Sequence, residues 1–277
     1  MNPGTGQIGQ TFARSAWAPG ATRGMVRLAL LAVMAFCFGC ADADPPPVRG
    51  VPLPPLLIHL PGISGHMFVD DWFVSGMKDG HFSGQIEIRD WTHGDRGLRA
   101  LFSIEENQKQ AQIVADMLTS RHRLDPDAPL FISGHSGGTA IAVWTLERLP
   151  PDVQVRDVVL LAPAISPHYD LTAALRHISG HLHVFYSSGD GLILGLGTSI
   201  FGTMDRSRES AAGMVGFVRP PQGDATQYAK LVGHPYQGEW AWLGNQGDHI
   251  GPMWEPFVAQ IVAPLLVADM QRTPPQH

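Results

Sequence analysis

Pro129-Leu130-Phe131-Ile132-Ser133-Gly134-His135-Ser136-Gly137-Gly138 is the stretch on which the fold turns. Leu130 to Ile132 is a short apolar run of the kind a buried strand carries. Gly134 to Gly138 interrupts it, and Thr139 to Leu146 continues as a helical run that stops before Pro150-Pro151. Strand, sharp turn and helix is the setting of a Gly-x-Ser-x-Gly nucleophile elbow. Such a turn is so tight that a Cβ at either flanking glycine meets the neighbouring backbone. Ser136 is left at the apex, and the helix behind it aims its first amides at the same point. The bare pattern is weak, because a glycine-rich βα turn with an ordinary serine also satisfies it. The rest of the chain decides.

Outward from that turn, strands alternate with helices. Residues 56–60, 85–91, 155–162, 181–187 and 235–243 read as the other strands. Residues 67–78, 103–123, 171–178 and 253–270 read as helices, the last interrupted by Pro256 and Pro264. Ser103 with Glu106 three residues on is a capping-box pattern. Alternation of this kind implies βαβ crossovers, hence an α/β fold: a mostly parallel sheet of about six strands with helices on both faces. Sites in such sheets lie beyond the carboxyl ends of the strands. The loops after Leu60, Trp91, Ser133, Ala162, Ser188 and Leu243 are therefore expected to share one edge.

The 277 residues carry a net charge of −6 and a hydrophobic fraction of 44%, which suits one substantial domain. No basic stretch marks a nucleic-acid partner. Residues 1–24 show no apolar periodicity and read as a disordered leader, with Met25 as an alternative start. Arg23 and Arg27 then precede the apolar run from Leu28 to Phe38 and the small-residue ending Gly39-Cys40-Ala41. That is the pattern of an export signal, too short for a comfortable membrane span. Its ending resembles a bacterial lipoprotein signal with Cys40 as the lipidated residue, although Cys37 stands where such signals usually carry Leu. Plain secretion is the alternative. The organisation expected is an export signal with leader over 1–40, a proline-rich linker over 41–55, one domain over 56–270 and a tail over 271–277. Both cysteines lie in the signal, so the domain has no disulfide and no cysteine-based metal site. No internal repeat is evident, and neither a metal nor another cofactor is expected.

Three loops carry chemistry. Ser136 is the candidate nucleophile, and a serine hydroxyl needs a base to take its proton. Ser188-Gly189-Asp190 places a carboxylate just past a strand, and Gly247-Asp248-His249 places an imidazole before the last helix. Serine, acid, histidine is the chain order this architecture uses. His249 is the candidate base, and Asp190 the residue that orients it. Asp205, Asp224 and Asp248 are rival acids; Asp248 adjoins His249, and adjacent side chains rarely align for that bond. His59, His66 and His93 sit near strand ends and are candidates for the pocket lining. His135 reads as a packing or hydrogen-bonding residue, and Trp72, Trp91, Trp144, Trp240, Trp242 and Trp254 as core or pocket wall. Residues 191–223 read as a strand-and-helix crossover, with a mobile flap over Ser136 as the alternative.

Together these motifs resemble the α/β-hydrolase superfamily over about residues 56–270, on His59-Leu60-Pro61-Gly62, Gly134-His135-Ser136-Gly137-Gly138, Ser188-Gly189-Asp190 and Gly247-Asp248-His249. The resemblance implies an oxyanion hole from two backbone N–H groups, those of Gly137 and, by its place after Pro61-Gly62, Ile63. It implies a serine esterase or lipase-like activity on a small-molecule ester or other acyl substrate. Hydrolysis of amides or thioesters, and a non-catalytic binding protein on the same scaffold, are the alternatives. Two departures stand out. The prolines up to Pro55 leave no room for the first two strands of the fuller sheet, and no long lid insertion separates Ala162 from His181.

Overall fold

Side chains alternate across a strand, so each buried strand feeds two cores. In the computed structural model, which describes residues 51–94, 97–190, 203–207 and 210–270, six strands do this. They are β1 (Leu56–Leu60), β2 (Gln85–Ile88), β3 (Leu130–His135), β4 (Asp157–Leu161), β5 (Leu182–Tyr186) and β6 (Leu231–Pro235). They form one sheet in the order β2-β1-β3-β4-β5-β6. Every neighbouring pair is parallel, so the expected α/β architecture is present, with a sheet wholly rather than mostly parallel.

Leu57, Phe131, Val159 and Phe185 face α1 (Phe68–Asp79) and the C-terminal helical run, where they meet Phe73, Met77, Phe257 and Val258. Ile58, Ile132, Leu160 and Val184 face the other way. On that side lie α2 (Leu98–Phe102), α3 (Ile104–Leu124), α4 (Gly138–Leu146) and α5 (Thr172–Arg176). All nine residues of α4 are buried. It has no polar face because it lies between the sheet and other helices, and Thr145 returns its hydroxyl to Ala111 O of α3 at 3.2 Å. Each Val, Ile or Leu so buried stabilises the fold by about 1.5–3 kcal/mol.

The chain leaves β1 for β2 on one flank and comes back to β3 on the other. Strand order therefore reverses between β1 and β3, and the crevice beyond their carboxyl ends is where α/β sheets hold their ligands. Ile63 and Ser136 lie just past those two ends.

The structure departs from the sequence reading in several places. The last strand is Leu231–Pro235, while Gly238–Leu243 is a 3₁₀ helix. A glycine and a proline are tolerated in β6 because it is an edge strand. The Ser103 capping box does not form: Ser103 closes α2, and its hydroxyl donates to Arg99 O at 2.8 Å. That bond satisfies an orphan carbonyl of the first helix in place of an amide of the second. The final helix is broken into a 3₁₀ turn (Gly251–Met253), a short α segment (Glu255–Phe257), a π segment (Val258–Val262) and an α-helix (Ala263–Met270). The end of the linker is held to the domain, since Leu53 N donates to Asp125 Oδ2 at 2.8 Å and Gln85 N to Pro55 O at 2.7 Å. The expected export signal with Cys40, the expected linker up to residue 50, the tail, and residues 191–202 and 208–209 of the crossover lie outside the described residues. From Thr203 onward the described crossover is irregular chain with two short helices, Ala212–Val215 and Ala225–Tyr228, before β6. Among the described residues no helix is long and apolar enough to cross a membrane.

Candidate active site

The elbow follows from steric necessity. Ser136 has φ +53°, in the left-handed region that a serine adopts only at a cost. The surrounding backbone holds it there. Ser136 N donates to Leu161 O at 3.0 Å, and Ser136 O accepts from Thr139 N, Thr139 Oγ1 and Ala164 N at 3.1, 2.5 and 3.3 Å. A Cβ on Gly134 would lie 2.8 Å from Gly138 O, and one on Gly138 would overlap Leu60 O. Both flanking positions therefore require glycine, as the motif reading expects.

The turn sets Gly137 against Ile63: a Cβ on Gly137 would lie 2.6 Å from Ile63 Cγ2 and 3.5 Å from Ile63 N. Ile63 O accepts from Gly97 N at 2.7 Å, which fixes the loop. Among the described residues, neither the Ile63 nor the Gly137 amide is committed to an acceptor.

His249 Nδ1 lies 2.6 Å from Asp190 Oδ1, both side chains nearly buried. A carboxylate only accepts, so Nδ1 carries a proton and Nε2 is the ring nitrogen not engaged by Asp190. His249 O accepts from His135 Nε2–H at 2.9 Å, and the two rings lie 4.9 Å apart. His135 thus ties the residue before Ser136 to the backbone of His249. Burial, and then the charge of His249, lowers the His135 pKa to about 4, so this imidazole is neutral at pH 7. Ser136 Oγ makes no hydrogen bond to His249 here; such contacts often tighten only once substrate binds.

The rival acids are otherwise engaged. Asp248 Oδ1 accepts from Ile250 N and Gly251 N at 3.0 and 2.7 Å, which shapes the turn carrying His249. Asp205 accepts from Ser166 N at 3.0 Å and from Thr203 Oγ1. Asp224 caps the Ala225–Tyr228 helix. Asp190 is enclosed by Gly213, where a Cβ would strike its Oδ2. Nothing in the sequence near Gly213 points to that contact.

The other histidines divide. His93 lines a depression of about 420 Å³ with Trp91, Thr92, Ala100, Ser103, Glu106 and Asn107. It borders the elbow through Trp91, whose Cζ2 would lie 3.3 Å from a Cβ on Gly137. His66 pairs with Asp71 at 2.9 Å on the surface. His59 is not a pocket residue. It is wholly buried, with Nε2 3.0 Å from Asp70 Oδ1 and Nδ1 2.8 Å from Ser133 Oγ. Trp91, Trp144 and Trp240 are buried, whereas Trp242 is 92% exposed and belongs to neither core nor pocket.

No protein family matches the sequence, and no curated protein matches it. Solved structures do resemble it. Lipase B of Aspergillus fumigatus aligns over 78% of this chain at 11% identity and a TM-score of 0.48; the chain spans about half of that lipase, 53% of its length. A Trichoderma reesei cutinase, solved with a phosphonate inhibitor, aligns over 80% of this chain and 78% of its own at 13% identity and a TM-score of 0.41. An acetylxylan esterase aligns over 80% and 99% at 9% identity and a TM-score of 0.43. Each is a likeness of fold, and the chemistry is argued from the residues of the site.

Proposed function

We propose that the protein is a serine hydrolase that cleaves carboxylic esters through an acyl-enzyme. The observation that carries this reading is the 2.6 Å His249–Asp190 pair, tied through His135 to the strand end where Ser136 is held at φ +53°. Ser136 Oγ attacks the acyl carbon as His249 Nε2 takes its proton. Asp190 holds the tautomer and stabilises the imidazolium. The oxyanion is received by the Ile63 and Gly137 amides; one such donor contributes about 3–4 kcal/mol. His249 returns the proton to the leaving alcohol, and water then clears the acyl group by the same steps in reverse. Labelling by a fluorophosphonate probe, with esterase activity on p-nitrophenyl esters of graded chain length, tests the proposal. Both are expected to vanish in Ser136→Ala, and labelling that survives the substitution would overturn it.

Export, with Cys40 as a lipid anchor, is the accompanying proposal for location. It rests on the signal-like run up to Cys40 and on the stable membrane binding that several acyl chains give. In a bacterial host, wild type is expected in the detergent phase and Cys40→Ser in the aqueous phase.

A further inference from the structure

His181-Leu182-His183 places two imidazoles two residues apart where β5 begins. Residues i and i+2 share a face, so both rings lie on one side while Leu182 enters the opposite core. The register pairs Val159 with His183, which puts Asp157, two residues before Val159, on that face beside His181. One donor atom from each of Asp157, His181 and His183 lies within 4.8 Å of the other two. Asp157 is wholly buried, His183 nearly so, and the His181 side chain is 41% exposed. The cluster has a buried floor and one member open to solvent.

We propose that these three residues bind a divalent transition-metal ion, and that the donor set suits zinc. Two imidazole nitrogens and a carboxylate are a three-ligand set for tetrahedral zinc, with a fourth position for water. Magnesium and calcium prefer oxygen donors throughout. The surroundings already orient the donors. Asp157 Oδ1 accepts from His181 N at 2.6 Å, and His181 Nδ1 lies 3.7 Å from the same oxygen. His183 Nδ1 lies 3.0 Å from His234 Nε2, and His234 stacks on Phe185 with ring centres 4.5 Å apart. With Nδ1–H donating to His234 Nε2, the His183 ring and tautomer are fixed and Nε2 is the ligand nitrogen, as outer partners arrange in metal sites. Asp157 opens β4 and His181 precedes β5, whereas Ser136, Asp190 and His249 lie past strand carboxyl ends. The ion is therefore a brace between two strand entrances and takes no part in acyl transfer. The sequence reading expects no metal, because it looks for cysteine clusters; the signal it passes over is His-x-His on a strand.

The test uses the full chain, stripped with a chelator and titrated with Zn²⁺ by calorimetry. One equivalent is expected to bind. Co²⁺ in its place is expected to show the intense visible absorption of a tetrahedral site. Zinc at about one hundred times Kd should raise Tm by roughly 5–10 °C. His181→Gln, at the exposed ligand, is expected to weaken binding at least about 10–100-fold while leaving the metal-free Tm and the esterase rate unchanged. His183→Ala is the second variant, should the first keep a glutamine oxygen on the ion. Absence of zinc binding, or an unchanged Kd in both variants, would overturn the proposal.

Discussion

Serine, histidine and aspartate occur together twice, as the hydrogen-bonded chain Ser133–His59–Asp70 and as the proposed chain Ser136–His249–Asp190, in which histidine and aspartate alone are bonded, and the surroundings differ in almost every respect. In the first, His59 Nε2–H donates to Asp70 Oδ1 at 3.0 Å and Ser133 donates to Nδ1 at 2.8 Å. In the second, the aspartate takes the other nitrogen, Nδ1, at 2.6 Å. The first is sealed in the sheet: His59 and Ser133 are 0% exposed, His59 stacks on Phe73, and the serine lies inside β3 with strand geometry. The second is at the strand ends, with its serine at φ +53° and the amides of Ile63 and Gly137 at hand. Residue types and hydrogen bonds do not by themselves make a nucleophile. An elbow and two nearby uncommitted amides distinguish the second chain from the first, and it is to the second that the proposed reaction assigns the nucleophile.

The strongest way to break this comparison is at the serines. Ser136→Ala is expected to lose activity on the order of 10⁵–10⁶-fold with little change in Tm. Ser133→Ala is expected to keep activity within about threefold but to cost about 1–3 kcal/mol by leaving a buried acceptor unpaired. Steady-state kinetics and urea melts of both variants check this, and the reverse pattern would exchange the roles. The acids come next. Asp190→Asn should lose activity about 10³–10⁴-fold, because the amide favours the wrong imidazole tautomer. Asp70→Asn should act mainly on stability, by roughly 2–4 kcal/mol, as the charged partner of a buried histidine is removed.

The histidine that joins the second chain to β3 gives a pH signature. His135 is held neutral, with its pKa lowered to about 4, whereas the unfolded chain takes up that proton near 6.5. The contribution is therefore whole above about pH 6.5 and is lost as the pH falls towards 4, by roughly 2–4 kcal/mol. His135→Gln should show less acid destabilisation between pH 7 and pH 4.5 in urea melts. The smallest effect is expected at Asp248→Asn, where the side chain caps a turn. About 1 kcal/mol of stability and a few-fold in rate should go, far less than at Asp190.

The sequence carries the second chain more clearly than the first. Gly134 and Gly138 announce the elbow, because only glycine fits against Gly138 O and Leu60 O. The expected strand ends put Asp190 and His249 in reach of one edge. The Ser133–His59–Asp70 chain is not legible, because it depends on register: His59 pairs with Ser133 across β1 and β3, and no local pattern reports a cross-strand partner. β6 is missed for another reason. Gly233 and Pro235 look like breakers, while the tryptophan-rich run at Gly238–Leu243 has the apolar content of a strand. Edge position decided the first, and packing of Trp240 on Phe185 and Phe257 decided the second. The Ser103 capping box fails because a helix sits immediately before it, which spacing alone does not show.

The all-parallel order also bears on how the chain acquires its structure. Among the described residues no strand pair is joined by a hairpin, and Leu56 of β1 finds its partner at Leu130 of β3. The first of the described strands to emerge during synthesis is an inner strand that must wait for a much later one, at the entropic cost of closing that long loop. Folding should therefore be slow relative to helical or hairpin-rich domains of this size. Until β3 arrives, the Leu-Leu-Ile-His-Leu run of β1 is an unpaired apolar edge. The interval before that closure is when the chain is most open to aggregation.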